Sequence, residues 1–142
     1  MKIGRLSESA LKKMAAMRLD FQCEEVFEGA GIGKNCAALG LEDDMAFIIS
    51  EDLIQRIPMA YMGQSGIQSA ANHLAAVGAK PIGAAVTALF PEDAKKQQIE
   101  QVIQGIYRTC KKLSMTILEG HTEVTEAVNQ PLLSICGVGK SS

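Results

Sequence analysis

Three stretches of this 142-residue chain carry residue types that could do chemistry. Gly29-Ala30-Gly31-Ile32-Gly33 places three glycines in five positions. Glycine lets backbone N–H groups come close to an anion, so the stretch could cradle a phosphate. It lacks the spacing of a dinucleotide fingerprint and no helix pattern opens after it, so a plain turn stays equally open. Asn72-His73 lies within a run of small residues that reads as a helix, where a lone histidine is more often structural than a ligand. Gly120-His121-Thr122-Glu123 follows a strand pattern and is expected in a loop, where functional groups concentrate. Gly137-Val138-Gly139-Lys140-Ser141 imitates a P-loop, but Ser134 stands where its first glycine belongs and Ser142 ends the sequence. With no helix N-terminus to face a phosphate, it is read as no nucleotide site. Spacing alone yields no Ser/His/Asp or Cys/His arrangement.

The elements that must position these residues are legible from periodicity. Ser7 can cap a helix over 7–18. Cys36–Leu41 and Met45–Ser50 read as two strands around the acidic turn Glu42-Asp43-Asp44. Met62–Val77 reads as a helix whose small side chains let it sit close to a sheet, ended by Gly78. Pro81–Phe90 is an apolar run of strand length, and Pro91 suits the first turn of the next helix. That helix, Glu92 to about Leu113, places Ile99, Val102, Ile103, Ile106, Cys110 and Leu113 on one face. Glu92 and Asp93 at its start and Lys111-Lys112 at its end would complement its dipole. Strands at Met115–Leu118 and Leu132–Val138 complete an α+β (α/β-like) pattern: a mixed sheet of four or more strands with helices on one face. Its strands carry more apolar surface than helices on one face can cover, which predicts a homodimer through the sheet.

Composition removes several classes of function. Hydrophobic residues at 47% and charged residues at 21% fit one folded domain, 1–142, rather than a disordered chain. A net charge of −2, no Lys/Arg run and six aromatics leave neither a phosphate-backbone footprint nor a base-stacking platform for nucleic acid. No apolar run reaches the roughly 20 residues needed to span a bilayer, and no signal-peptide core opens the chain. Cys23, Cys36, Cys110 and Cys136 are dispersed with no CxxC pair, as expected of reduced thiols in a cytoplasmic protein. Neither histidine stands at zinc-ligand spacing from a cysteine.

Several of these stretches, in this order, resemble a known family. Met1–Ser7, Gly29–Gly33, Asn72–Pro81, Ala88–Glu92 and Gly120–Thr125 are similar to the N-terminal domain of aminoimidazole ribonucleotide synthetase-related (PurM-like) proteins. The likeness is to the hydrogenase-maturation, or HypE-like, branch, and it covers nearly the whole chain. The resemblance implies a domain that dimerises by joining two sheets and holds ATP with magnesium in a groove at the dimer. There the family activates an amide- or acid-type oxygen by phosphorylation. It implies cofactor-binding roles for Gly31, Gly33, Asn35, Asp52, Asn72, His73, His121 and Thr122, with Asp52 as metal ligand and no catalytic residue assigned. It also implies a protein partner in enzyme maturation, and a second, C-terminal domain that is expected to be absent here.

Against the family pattern, this chain has substitutions at the charged positions. Gly-x-Asp-Ala-Ala is replaced by Gly33-Lys34-Asn35-Cys36-Ala37, and Asn-Asp by Asn72-His73. Gly-Gly-His-Thr is replaced by Glu119-Gly120-His121-Thr122, while Asp52 survives. Two of three metal-binding carboxylates are gone, and histidine is a poor ligand for magnesium. The expectation is a domain degenerate in Mg-ATP binding and not catalytic alone. The alternatives are a working ATP-dependent maturation or synthetase-type domain, and a generic α/β oligomerisation module unrelated to the family.

Overall fold

The computed structural model describes residues 3–17, 22–34, 36–40 and 44–141. Their elements are α1 (Glu8–Ala15), β1 (Val26–Glu28), β2 (Cys36–Gly40), β3 (Ala46–Ile54), α2 (Met59–Ala76), β4 (Lys80–Phe90), α3 (Lys96–Lys112), β5 (Thr116–Val124) and β6 (Leu132–Ser141). The six strands form one mixed sheet in the order β1-β2-β3-β6-β4-β5. Only β4 and β5 run parallel, as the connection through α3 requires. The expected α+β architecture, with helices over one face of a mixed sheet, is what the chain adopts.

Burial alternates along the strands and separates two faces. On β3, Ile48, Ser50, Asp52 and Ile54 are buried towards the helices, while Phe47, Ile49, Glu51 and Leu53 face the other way. Leu133 and Ile135 of β6 and Ala84, Val86, Ala88 and Phe90 of β4 continue the covered face. Met62, Ile67 and Ala70 of α2 and Val102 and Ile106 of α3 close it. α2 can approach α3 because Gly63 lies at their contact, where a Cβ would stand 2.5 Å from the Val102 carbonyl oxygen. Gly78 ends α2 at a φ of 83°, donating to the Ala75 carbonyl, as the sequence predicts. Ser7 caps α1 by accepting from the Ala10 N–H at 3.2 Å, yet α1 buries none of its residues.

Four local expectations need correction. Pro91, Glu92 and Asp93 precede α3 rather than open it, because Ala94 N–H closes a separate turn onto the Pro91 carbonyl. The first turn of α3 therefore holds no acid, and its N-cap N–H, from Lys95, is taken by the Gln98 side chain at 2.9 Å. Residues 119–123 are not a loop: β5 continues through them because the eleven-residue β4 offers backbone partners as far as Phe90 opposite Val124. β1 was not anticipated, being three residues long. β6 runs further than expected, to Ser141, so Gly137–Ser141 is extended strand between β3 and β4 and forms no phosphate loop. Cys36 pairs with Ser50 and Gly40 with Ala46, as the hairpin reading requires; Leu41, Glu42 and Asp43 lie outside the described residues.

Candidate functional site

The densest polar group on the covered face is built around Asp52. Strand alternation turns this carboxylate inward beneath α2, where it is 8% exposed. Ser69 and His73 stand one helical turn apart on α2 and both reach it. The Ser69 hydroxyl donates to Oδ1 at 3.0 Å. His73 Nδ1 lies 3.0 Å from Oδ1 and 3.2 Å from Oδ2. A carboxylate only accepts, so Nδ1 carries the hydrogen of this contact and the imidazole is held in one orientation. Nε2 of His73 has no hydrogen-bond partner among the described residues.

His73 also lines a cleft of about 370 Å³ between the β2 edge and the C-terminal end of α2. Glu28, Gly33 and Lys34, residues of β2 and β3 (Ala37, Ala38 and Ile48), and Ala76 and Val77 at the end of α2 also line it. The Lys34 stem crosses Gly31, where a Cβ would meet its Cδ at 3.0 Å. Its ammonium is 3.5 Å from Glu28 Oε1, with both side chains well exposed. Cys36 donates its thiol to the His73 carbonyl at 3.7 Å. Burial, reinforced by the nearby Asp52 charge, pushes the Cys36 thiol above its ordinary range and keeps it neutral.

The structure brings together some of the residues singled out from sequence and separates others. Gly33 and His73 line the cleft, Asp52 lies behind His73 in contact with its ring, and Gly31 lies against the Lys34 stem. Asn72, one position from His73, points elsewhere and accepts from Gln68 at 2.9 Å. Asn35 lies outside the described residues. His121 and Thr122 sit on edge strand β5, with β6 and β4 between them and β3. Thr87 pairs with His121 and alternates with buried Val86 and Ala88, so His121 is on the open face, opposite to Asp52. There it contacts Glu123 at 3.3 Å. Sequence reasoning missed Ser69 and Lys34. The first had a signal, since Ser69 and His73 are four apart on one helix face.

These residues do not fit a magnesium ion. Magnesium demands near-octahedral oxygen ligation, usually with several carboxylate or phosphate oxygens. Here both oxygens of Asp52 are engaged by Ser69 and His73, and the other carboxylate at the cleft, Glu28, is paired with Lys34. Among the described residues, no group of three or more His, Cys, Asp or Glu side chains is placed to hold a metal. What the arrangement offers instead is an oriented imidazole, an ammonium group and an apolar wall.

A mixed six-stranded sheet covered by α2 and α3 on one face defines an α+β domain. The chain belongs to the AIR synthase related protein family: the family model described as the N-terminal domain matches residues 33–141. It is 26% identical over 141 residues to a putative hydrogenase expression/formation protein of Methanocaldococcus jannaschii, covering 96% of this chain and 42% of that one. The solved structure of AaThiL complexed with AMPPCP and TMP is similar at a TM-score of 0.76 and 18% identity, over 99% of this chain and 44% of that chain. Hydrogenase maturation protein HypE in complex with ATP is similar at a TM-score of 0.63 and 19% identity, over 78% and 34%. The chain thus spans less than half the length of these relatives. Family membership removes the expectation of an unrelated oligomerisation module. Among the described residues, no helix is long and apolar enough to cross a membrane.

Proposed function

We propose that this chain is a dimerising domain of the AIR synthase related family that has lost magnesium–nucleotide catalysis and is not an enzyme by itself. One observation carries the reading: the surviving acid, Asp52, is closed off by Ser69 and by a histidine standing where the family has a carboxylate. A buried carboxylate tied in this way holds α2 on the sheet and leaves little for a hard cation. The dimer reading is supported by the uncovered sheet face, where Phe47, Ile49, Leu53, Leu89 and Val138 alternate with the covered residues. Leu53 is 59% exposed there. The dispersed thiols fit a reducing cytoplasmic setting, and a protein of an enzyme-maturation pathway is the expected partner.

Two measurements test the reading together. Light scattering at micromolar concentration should give twice the chain mass, and release of ADP from ATP with magnesium should stay at background. A monomer would remove the dimer; magnesium-dependent turnover would remove the loss of catalysis. The second reading, a working ATP-dependent maturation or synthetase-type domain, is favoured by the ATP bound to HypE, whose fold this chain shares. It assigns Gly31, Gly33, Asp52 and His73 to the nucleotide, leaves Asn72, His121 and Thr122 away from it, and predicts such turnover.

A further inference from the structure

We infer that the outer edge of β5 is a docking site for an extended segment of a partner protein, in which basic and apolar residues alternate, added to the sheet as one further strand. β5 is outermost in the sheet and pairs with β4 alone among the described residues, so one side of its backbone faces solvent. The opposite edge, β1, is blunted by being only three residues long. β5 has no such protection. It contains neither proline nor lysine, and after an irregularity at Leu118 its pairing runs regularly from Glu119 to Val124. Apart from Ile117, which is partly covered, the strand is exposed along its length.

Strand alternation gives this edge two unlike sides. Glu119, His121 and Glu123 lie opposite Ala85, Thr87 and Leu89 on the open face of the sheet. Gly120, Thr122 and Val124 lie opposite buried Val86, Ala88 and Phe90, on the helix side. There α3 stops short of covering the strand, and a notch of about 40 Å³ is left between Ile103 and Tyr107 of α3 and Gly120 and Thr122 of β5. A Cβ on Gly120 would meet nothing within 4 Å, and Tyr107 and Val124 are both exposed. On the open-face side the charge has one sign. The sequence from Leu113 to Gly139 holds no lysine or arginine, but it holds Glu119, Glu123 and Glu126. Among the described residues Glu119 and Glu126 have no ion-pair partner, and Glu123 has only His121, at 3.3 Å. A strand laid along this edge presents its side chains alternately to the two sides. Apolar groups at every second position would enter the notch and cover Tyr107, and lysines or arginines between them would stand over Glu119 and Glu123. Backbone hydrogen bonds supply the affinity and the alternation supplies the selectivity. A second copy of β5 would instead bring more acids to an edge that already lacks cations.

The test is fluorescence anisotropy of a labelled peptide of alternating lysine and valine, titrated with the full chain. Saturable binding is expected, weakened about tenfold by joint Glu119→Lys and Glu123→Lys substitution, the loss being that of two exposed charge pairs. The same variant should gain affinity for the corresponding glutamate–valine peptide. Two further peptides, N-methylated on one or the other alternate set of residues, separate strand addition from charge alone. One should bind and the other should not, because only every second residue of an added strand turns its N–H towards β5. They are read on the unaltered protein, so the test stays decisive if the variant does not fold. Absence of binding overturns the inference, as does binding indifferent to the charge reversal or equal binding of the two methylated peptides. Protection of every β5 amide from hydrogen exchange in the free protein would give the edge to a second copy, and overturns it too.

Discussion

Asp52 is a carboxylate removed from water, and its stability depends on two donors that differ in kind. The Ser69 hydroxyl is neutral, whereas the His73 contact gains charge assistance when the ring is protonated. Ser69→Ala should therefore lower unfolding free energy by about 1 kcal/mol, the usual net value of one hydrogen bond. Asp52→Ala should cost more, about 2–3 kcal/mol, since it strips both α2 residues of their acceptor. Urea unfolding followed by circular dichroism would show both, and equal costs would mean that His73 contributes nothing. At this scale the sequence was informative about positions and poor about pairing. Asp52, His73 and Gly33 could be singled out, but the partner of His73 depends on which face of β3 lies under α2. Asn72 illustrates the difficulty: adjacent to His73 in sequence, it is rotated about 100° around the helix and bonds to Gln68 instead. His121 and Thr122 were legible as residue types, but nothing local places them on the far edge of the sheet.

Among the elements, the contact of α2 with α3 is the most demanding. A Cβ on Gly63 would lie 2.5 Å from the Val102 carbonyl oxygen and 2.6 Å from the Ile106 nitrogen, both backbone atoms that cannot turn aside. Gly63→Ala should force the helices apart at a cost of about 1–3 kcal/mol. Gly120→Ala, on edge strand β5 with nothing within 4 Å of the added carbon, should change stability by no more than about 0.5 kcal/mol. Thermal melts of the pair would check this, and equal midpoints would contradict the helix-contact account. α3 was the clearest element in the sequence because its apolar spacing is strict and one-sided. Its start was misplaced because Pro91 and two acids make a convincing first turn, while the chain spends them on a separate turn. β5 was cut short for a different reason. An edge strand open to solvent carries Glu119, His121 and Glu123, so its composition reads as loop although its backbone is fully engaged with β4 on one side.

For the whole molecule the decisive feature is a sheet covered on one side only. The pattern of excess apolar strand surface was visible beforehand, and the covered face explains where it goes: half to the helices, half outward. Leu53 is the simplest probe, exposed in the single chain near the C-terminal end of the long β3 strand. Leu53→Glu should leave the protomer's melting temperature nearly unchanged and shift the light-scattering mass towards one chain at micromolar concentration. An unaltered dimer would place the interface elsewhere.

The strand order also bears on how the molecule comes into being. β6, latest of the six strands in the chain, lies at the middle of the sheet, with β3 on one side and β4 on the other. Ala46 finds its partner in Ser141, and Ile54 in Leu133. During synthesis the β2–β3 hairpin and the β4–α3–β5 unit can each form early, as separate pieces with a gap where the central strand belongs. Pairings so distant in sequence must close large loops before they gain contacts, which makes them slow. Until β6 leaves the ribosome, the inner edges of β3 and β4 stay open to other chains, a hazard that grows with the time spent waiting. The strand that unites the two halves is thus a timer as well as a brace, and conditions that delay it would show as aggregation of nascent chain rather than instability of the finished protein.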